Sequence, residues 1–163
     1  MVDTTLVPAD PPETTIFQVL LIGKSTDCGI CTIVNPMEAF LSQWLKDCSA
    51  QQRETLIEAR AFIKSNTEGL SEEINTGKWL KGYLFFSFNS TMVFALAPQG
   101  KLATTLHMMP FYGSPELQNK HRSALEPFLT GKSCIAFKRF SDLPQESLLN
   151  IVKEGTKAFL EGI

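Results

Sequence analysis

Between residues 83 and 108, three apolar runs follow one another almost without interruption: Tyr83–Phe88, Met92–Ala97 and Lys101–Met108. Asn89-Ser90-Thr91 separates the first two, and the turn signal Pro98-Gln99-Gly100 separates the second from the third. Connections this short reverse a chain but cannot carry the crossover of a dozen or more residues that parallel strands need. The stretch therefore predicts neighbouring antiparallel strands. Cys134–Lys138, short and apolar, reads as one more strand.

Helical signals surround this stretch. Glu38 to Lys46 places Phe40, Leu41, Trp44 and Leu45 at helical spacing. Ser49-Ala50-Gln51-Gln52 fits the S-x-x-Q capping box, in which each end satisfies one orphan backbone donor, and opens a second helix through Lys64 that buries Leu56, Ala59 and Ile63. Gly69 and its polar neighbours end that helix. Ser114-Pro115-Glu116 supplies an N-cap, a proline at the first helical position and an early acid. A closing helix after Leu143-Pro144 would bury Leu148, Leu149, Val152, Ala158, Phe159 and Leu160. Helices, clustered strands, helix, strand, helix is the order of an α+β fold with an antiparallel sheet covered by helices.

The N-terminal 36 residues differ in character. Residues 2–15 carry three prolines and no base, so they read as extended. Residues 16–23 form an apolar run closed by Gly23 and predict a strand. Residues 1–36 hold four acids and one base, whereas residues 37–163 hold thirteen acids and fourteen bases. The asymmetry divides the chain into an N-terminal extension, 1–36, and an α+β domain, 37–163. A shorter product starting at Met37 is compatible with that division. No apolar run approaches the roughly 20 residues that cross a bilayer, and Asp3, Asp10 and Glu13 stand where a secretion signal would be cationic. A net charge of −2 advertises no polyanion, so neither nucleic acid nor membrane is an expected partner. Four cysteines without a secretion signal fit a reducing, cytoplasmic setting.

Few residues carry chemistry. Phosphate-binding, dinucleotide-binding, esterase-elbow and zinc-protease motifs do not occur. Cys28-Gly29-Ile30-Cys31 places two thiols within disulfide reach, and at a helix start the first thiol would be the attacking one. This window, followed by Pro36 and a helix, is similar to the thioredoxin active-site segment, with Ile30 where that family usually has Pro. Two reduced structural cysteines are the plainer reading. A zinc site has no second knuckle among Cys48, His107, His121 and Cys134. His107 ends a strand among large apolar residues, where it lines a pocket mouth or is simply half-buried. Lys78 and Lys81 flank Trp79, an arrangement that stacks a ring or binds an anion, or packs the Trp under the lysine stems. His107, Trp79, Tyr83, Tyr112 and Lys78 are thus the ligand-pocket candidates. His121, between Lys120 and Arg122, reads as solvated, and Cys134 as a small buried hydrophobe.

From Pro36 onward the chain resembles the YdhG-like domain family. Carrying the resemblance are the opening helix Met37–Leu45, the passage from Gly69 to Ile74, Lys78-Trp79, Phe111-Tyr112-Gly113-Ser114-Pro115, the segment Thr130–Phe137, and Leu143-Pro144 with Leu148, Leu149, Ile151 and Val152. The resemblance implies an antiparallel sheet covered by helices. Some relatives are described as frataxin-like iron chaperones, so iron is the metal it suggests. Ligands for iron would come from Glu54, Glu58, Glu72, Glu73 and the two histidines, yet the matching region is nearly neutral. The expectation is a non-enzymatic module that binds a small ligand, a metal ion or a protein. The alternatives are a thiol-disulfide oxidoreductase or redox sensor using Cys28 and Cys31, and a homodimer built by sheet pairing.

Overall fold

In a computed structural model, which describes residues 36–162, five strands form one sheet in the order β1-β2-β3-β4-β5, every neighbouring pair antiparallel. The strands are β1 (Ser71–Ile74), β2 (Leu84–Phe88), β3 (Thr91–Gln99), β4 (Ala103–Met108) and β5 (Cys134–Phe137). The helices are α1 (Pro36–Trp44), α2 (Ala50–Asn66), α3 (Met109–Gly113), α4 (Pro115–Leu125), α5 (Gln145–Asn150) and α6 (Thr156–Glu161), with a π turn at Ile151–Gly155 joining the last two. The expected α+β architecture with an antiparallel sheet is what the chain adopts. The expected strand at 16–23 lies outside the described residues.

The β2–β3 connection is tighter than the sequence suggested. Asn89 (φ 47°) and Ser90 (φ 63°) are its two residues, and both take the left-handed backbone that lets a two-residue hairpin follow the strand twist. The register then slips between Phe86 and Ser87, so Val93 has no cross-strand partner. This bulge turns Val93 as well as Phe94 into the core.

Alternation decides the rest. Leu84, Phe86, Phe94, Leu96, Leu106, Met108, Ile135 and Phe137 share one sheet face and are buried. They cluster with Leu41, Leu56, Ala59, Ile63, Phe111, Leu125, Leu148, Ile151 and Val152 from the helices. No side chain of the opposite face belongs to that cluster. Among the described residues, the helices therefore bury their apolar stripes against one side of the sheet.

Several expectations change. Ser71–Ile74 is a strand, not part of a helix ending; its consecutive acids hide the alternation, with Glu72 on the helix side and Glu73 on the other. The capping box forms by half. Ser49 Oγ accepts from the Gln52 amide at 3.2 Å, but the buried Gln52 side chain donates to the Ala103 carbonyl instead of reaching back. The strand ends at Met108 as expected, but a short helix, α3, follows it directly. His121 is 4% exposed, not solvated, because α4 turns Leu125 and His121 inward together. Ala158 is exposed, since the π turn advances the buried face by one residue to Gly155 and Thr156. A Cβ on Gly155 would meet Leu117 Cδ1 at 2.8 Å and Pro110 Cβ at 3.1 Å, so a larger residue there would push α3 or α4 away from the turn.

Glu72 ties the edge strand to α2. Its carboxylate accepts from Arg60 Nε and Nη2 and from Lys64 Nζ, each at 2.8 Å, and the side chain is 8% exposed. Burial alone would raise this carboxyl, but the hydrogen bonds and charges of Arg60 and Lys64 outweigh it and hold it below the usual range. Glu72→Ala is expected to cost about 1–3 kcal/mol in urea unfolding, because it strips a charged acceptor from two cations. Because the folded carboxyl titrates lower than the unfolded one, its stabilisation is full above about pH 4.3 and is lost as pH falls through the lower folded value. In Glu72→Gln that acid-dependent component should vanish; an unchanged acid profile would mean the carboxylate does not anchor β1.

Candidate functional site

The face turned away from the helices carries a cross-strand row. Glu73 pairs with Phe85, Phe85 with Ala95, Ala95 with His107, and His107 with Cys134, so one residue from each strand stands at the same level. Directly opposite residues have Cβ atoms about 4.5–5.5 Å apart, near enough for their side chains to interact. The adjacent level is Ala97, Thr105 and Ala136. The middle of this face is thus made of small side chains, and its rings stand to either side of Ala95. Ala95, Ala97 and Thr105 are buried, and Thr105 Oγ1 donates to the Ile135 carbonyl at 3.2 Å.

Two further aromatics join from the segment before β2. The Tyr83 ring lies 5.6 Å from the His107 ring, inclined at 63°. Trp79 approaches Phe85 at 6.3 Å, inclined at 61°. Both are edge-to-face contacts, which suit the ring quadrupoles. Asn75 builds the loop that carries them. Its side-chain amide donates to the carbonyls of Trp79 and Leu80, the Gly77 amide donates to its Oδ1, and its backbone bonds Tyr83 and Gly82. Leu80 (φ 51°) and Gly82 (φ 82°) supply the left-handed turns, and Trp44 Nε1 fastens the loop to α1 by donating to the Gly82 carbonyl at 2.8 Å. Asn75 was missed in the sequence; its signal was an Asn two residues before a Gly, the composition of an Asx turn.

The structure therefore brings together three of the five ligand candidates, Trp79, Tyr83 and His107, and adds Phe85 and Cys134. Trp79 is 62% exposed, so it is not sealed beneath lysine stems. Lys78 is exposed in the same loop and forms no ion pair among the described residues. Tyr112 does not join: it is exposed on α3, and its carbonyl, not its ring, accepts from Gln118. Cys134 is half-buried and paired, not an inert hydrophobe, with its Sγ 2.8 Å from His107 Nδ1. Cys28 and Cys31 lie outside the described residues.

Burial sets the electrostatics. It pushes the His107 imidazole down and the Cys134 thiol up, the latter against lowering hydrogen bonds from Ser133. Burial also raises Tyr83, and Cys134 adds to it. Near neutral pH the row thus holds a neutral imidazole, a protonated thiol and a protonated phenol. Such a surface offers rings, methyl groups and a few hydrogen-bonding atoms, and no net charge at its centre.

Metal ligation finds no support here. Among the described residues no three His, Cys, Asp or Glu come together to hold an ion. Of the candidate iron ligands, Glu72 is held by Arg60 and Lys64, Glu73 points to the other sheet face, and Glu54 and Glu58 are exposed on α2. A concavity of about 500 Å³ runs elsewhere, between α1 and α2, lined by Leu41, Trp44, Leu45, Leu56, Ile57 and Arg53 among others. No helix of the described residues is long and apolar enough to cross a membrane. No family model matches the chain, and neither the curated proteins nor the solved structures give a match.

Both histidines titrate below their ordinary value. His121 is lowered by burial and then by Lys120, with Glu154 and Glu146 opposing. A histidine depressed in the folded state takes up its proton first in the unfolded chain, so the fold loses stability as pH falls below about 6.5. NMR titration should show both imidazoles below that value. Unfolding free energy should decline from pH 7 towards 5, and His107→Gln should flatten part of the decline. Imidazoles titrating at or above 6.5 would contradict the burial argument.

Proposed function

We propose that this chain is a non-enzymatic binding module of the YdhG-like type, and that its site is the row of Trp79, Tyr83, Phe85 and His107 on the sheet face away from the helices. The ligand class is a small, flat, largely apolar molecule. One observation carries this reading: four rings from a loop and two strands gather around the small side chain of Ala95. Rings lying over buried methyl groups offer a planar molecule apolar surface for edge and face contact, led by the exposed Trp79, and the few polar atoms orient it. Two features support binding over catalysis: the chain lacks common catalytic motifs, and His107, Cys134 and Tyr83 at the centre of the row are neutral at rest. The long resemblance to a family of small α+β domains points the same way.

The neutral fluorescent probe N-phenyl-1-naphthylamine tests the reading. It should bind saturably, one molecule per chain. Removing two rings costs about 0.5–1.5 kcal/mol per lost ring contact, so Trp79→Ala combined with Tyr83→Ala should weaken binding about tenfold or more. Arg53→Ala, in the α1–α2 concavity, should leave it unchanged. Binding that survives the double substitution, or that Arg53→Ala abolishes, would move the site off this face.

A further inference from the structure

We infer that Cys134 is a modification site for soft carbon electrophiles, with His107 as the built-in acceptor of the thiol proton. The geometry comes first. Strand register sets the two residues directly opposite each other on β4 and β5, and Sγ lies 2.8 Å from Nδ1, within reach of direct proton transfer. The Tyr83 ring packs edge-to-face against the imidazole, with centroids 5.6 Å apart, and helps fix its plane. The thiol is half-exposed at the edge strand, next to the turn Thr130–Ser133. A Cβ on Gly131 would lie 3.9 Å from Sγ, so the absence of a side chain there keeps that approach uncrowded.

The reaction balances without any further reactant. An α,β-unsaturated carbonyl meets Sγ at its β-carbon, and the S–C bond forms as the S–H proton passes to Nδ1. The π electrons move to the α-carbon, which takes the proton back from the imidazolium. No group leaves, and His107 ends as it began. Because burial favours the neutral thiol and the neutral imidazole, the proton moves during attack, not before it. Tyr83 is the titratable side chain in contact with the pair. Lys132 stands two residues before Cys134, and Glu73 lies at the far end of the row, four strands away. Cys48 is the internal comparison. Burial raises it as well, Arg53 lowers it and Asp47 raises it, and no imidazole stands beside it.

This inference uses the face assigned above to ligand binding but stands apart from it, since a small electrophile needs no aromatic cradle. The experiment treats the full reduced chain with acrylamide and follows each cysteine by peptide mass spectrometry across pH. A thiol that must first ionise gains about tenfold in rate per pH unit below its pKa. A thiol served by a neutral imidazole reacts at a nearly constant rate between the two pKa values. Cys134 should therefore vary by less than about twofold between about pH 6.5 and 8, while Cys48 climbs close to tenfold per unit. His107→Gln should slow Cys134 about tenfold or more at pH 7 and give it the slope of Cys48, with the Cys48 rate unchanged. A tenfold-per-unit slope for Cys134 in the unaltered chain overturns the inference, and so does a folded His107→Gln variant with unaltered rate and slope. Should that variant not fold, the profile of the unaltered chain decides alone. Probe binding through Trp79 and Tyr83 is read separately, so failure of either reading is distinguishable from failure of the other.

Discussion

Helix packing on one face of the meander organises this domain. Five strands in sequence order present two faces, and the described helices close on one of them. Phe86, Phe94, Leu106 and Ile135 meet Leu56, Ile63, Leu148 and Ile151 across that layer. Each such side chain contributes about 1.5–3 kcal/mol when fully buried, so the layer outweighs any single polar contact in the molecule. Because side chains alternate along a strand, fixing this face fixes the other, and a slip of one residue would exchange them. The position of every residue in the candidate site follows from that choice.

The opposite face is what the helices leave behind, and its chemistry differs in kind. Its central strand offers Ala95 and Ala97 where the core face offers Phe94 and Leu96. Rings come in from Tyr83, Phe85 and His107, and Trp79 joins because Asn75 folds its loop back with hydrogen bonds that a bare turn would leave unmade. A neutral imidazole beside a protonated thiol is a low-charge pair suited to a partly dry surface. Paired as ions, the same two groups would carry a desolvation penalty that the hydrogen bonds from Ser133 do not outweigh.

Much of the fold was legible from local signals. Strands β2 to β5 announced themselves by apolar runs between turn residues, and Ser49 and Ser114 marked the starts of α2 and α4. What stayed hidden depends on distant partners. β1 reads Ser-Glu-Glu-Ile, and only the cations of Arg60 and Lys64 make Glu72 acceptable beneath a helix. His121 turns inward because of what packs on α4, and Ala158 turns outward because of one π turn; neither fact is written in its neighbours along the chain. At the site, Trp79, Tyr83 and His107 were readable as aromatics and an imidazole near strand ends. Phe85 and Cys134 looked like ordinary strand residues, since cross-strand register is a property of the sheet and not of any segment. Tyr112 misled because the short helix α3, which follows the strand at once, carries it away from the row.

The central claim is that the two faces of the sheet divide the labour, one holding the domain together and the other meeting ligands. Amide chemical-shift mapping during titration with N-phenyl-1-naphthylamine tests it most directly. The account predicts that the largest changes fall on Trp79, Tyr83, Phe85, Ala95, His107 and Cys134, with Leu41, Leu45 and Ile57 unmoved. Shifts concentrated between α1 and α2, with the row silent, would contradict it.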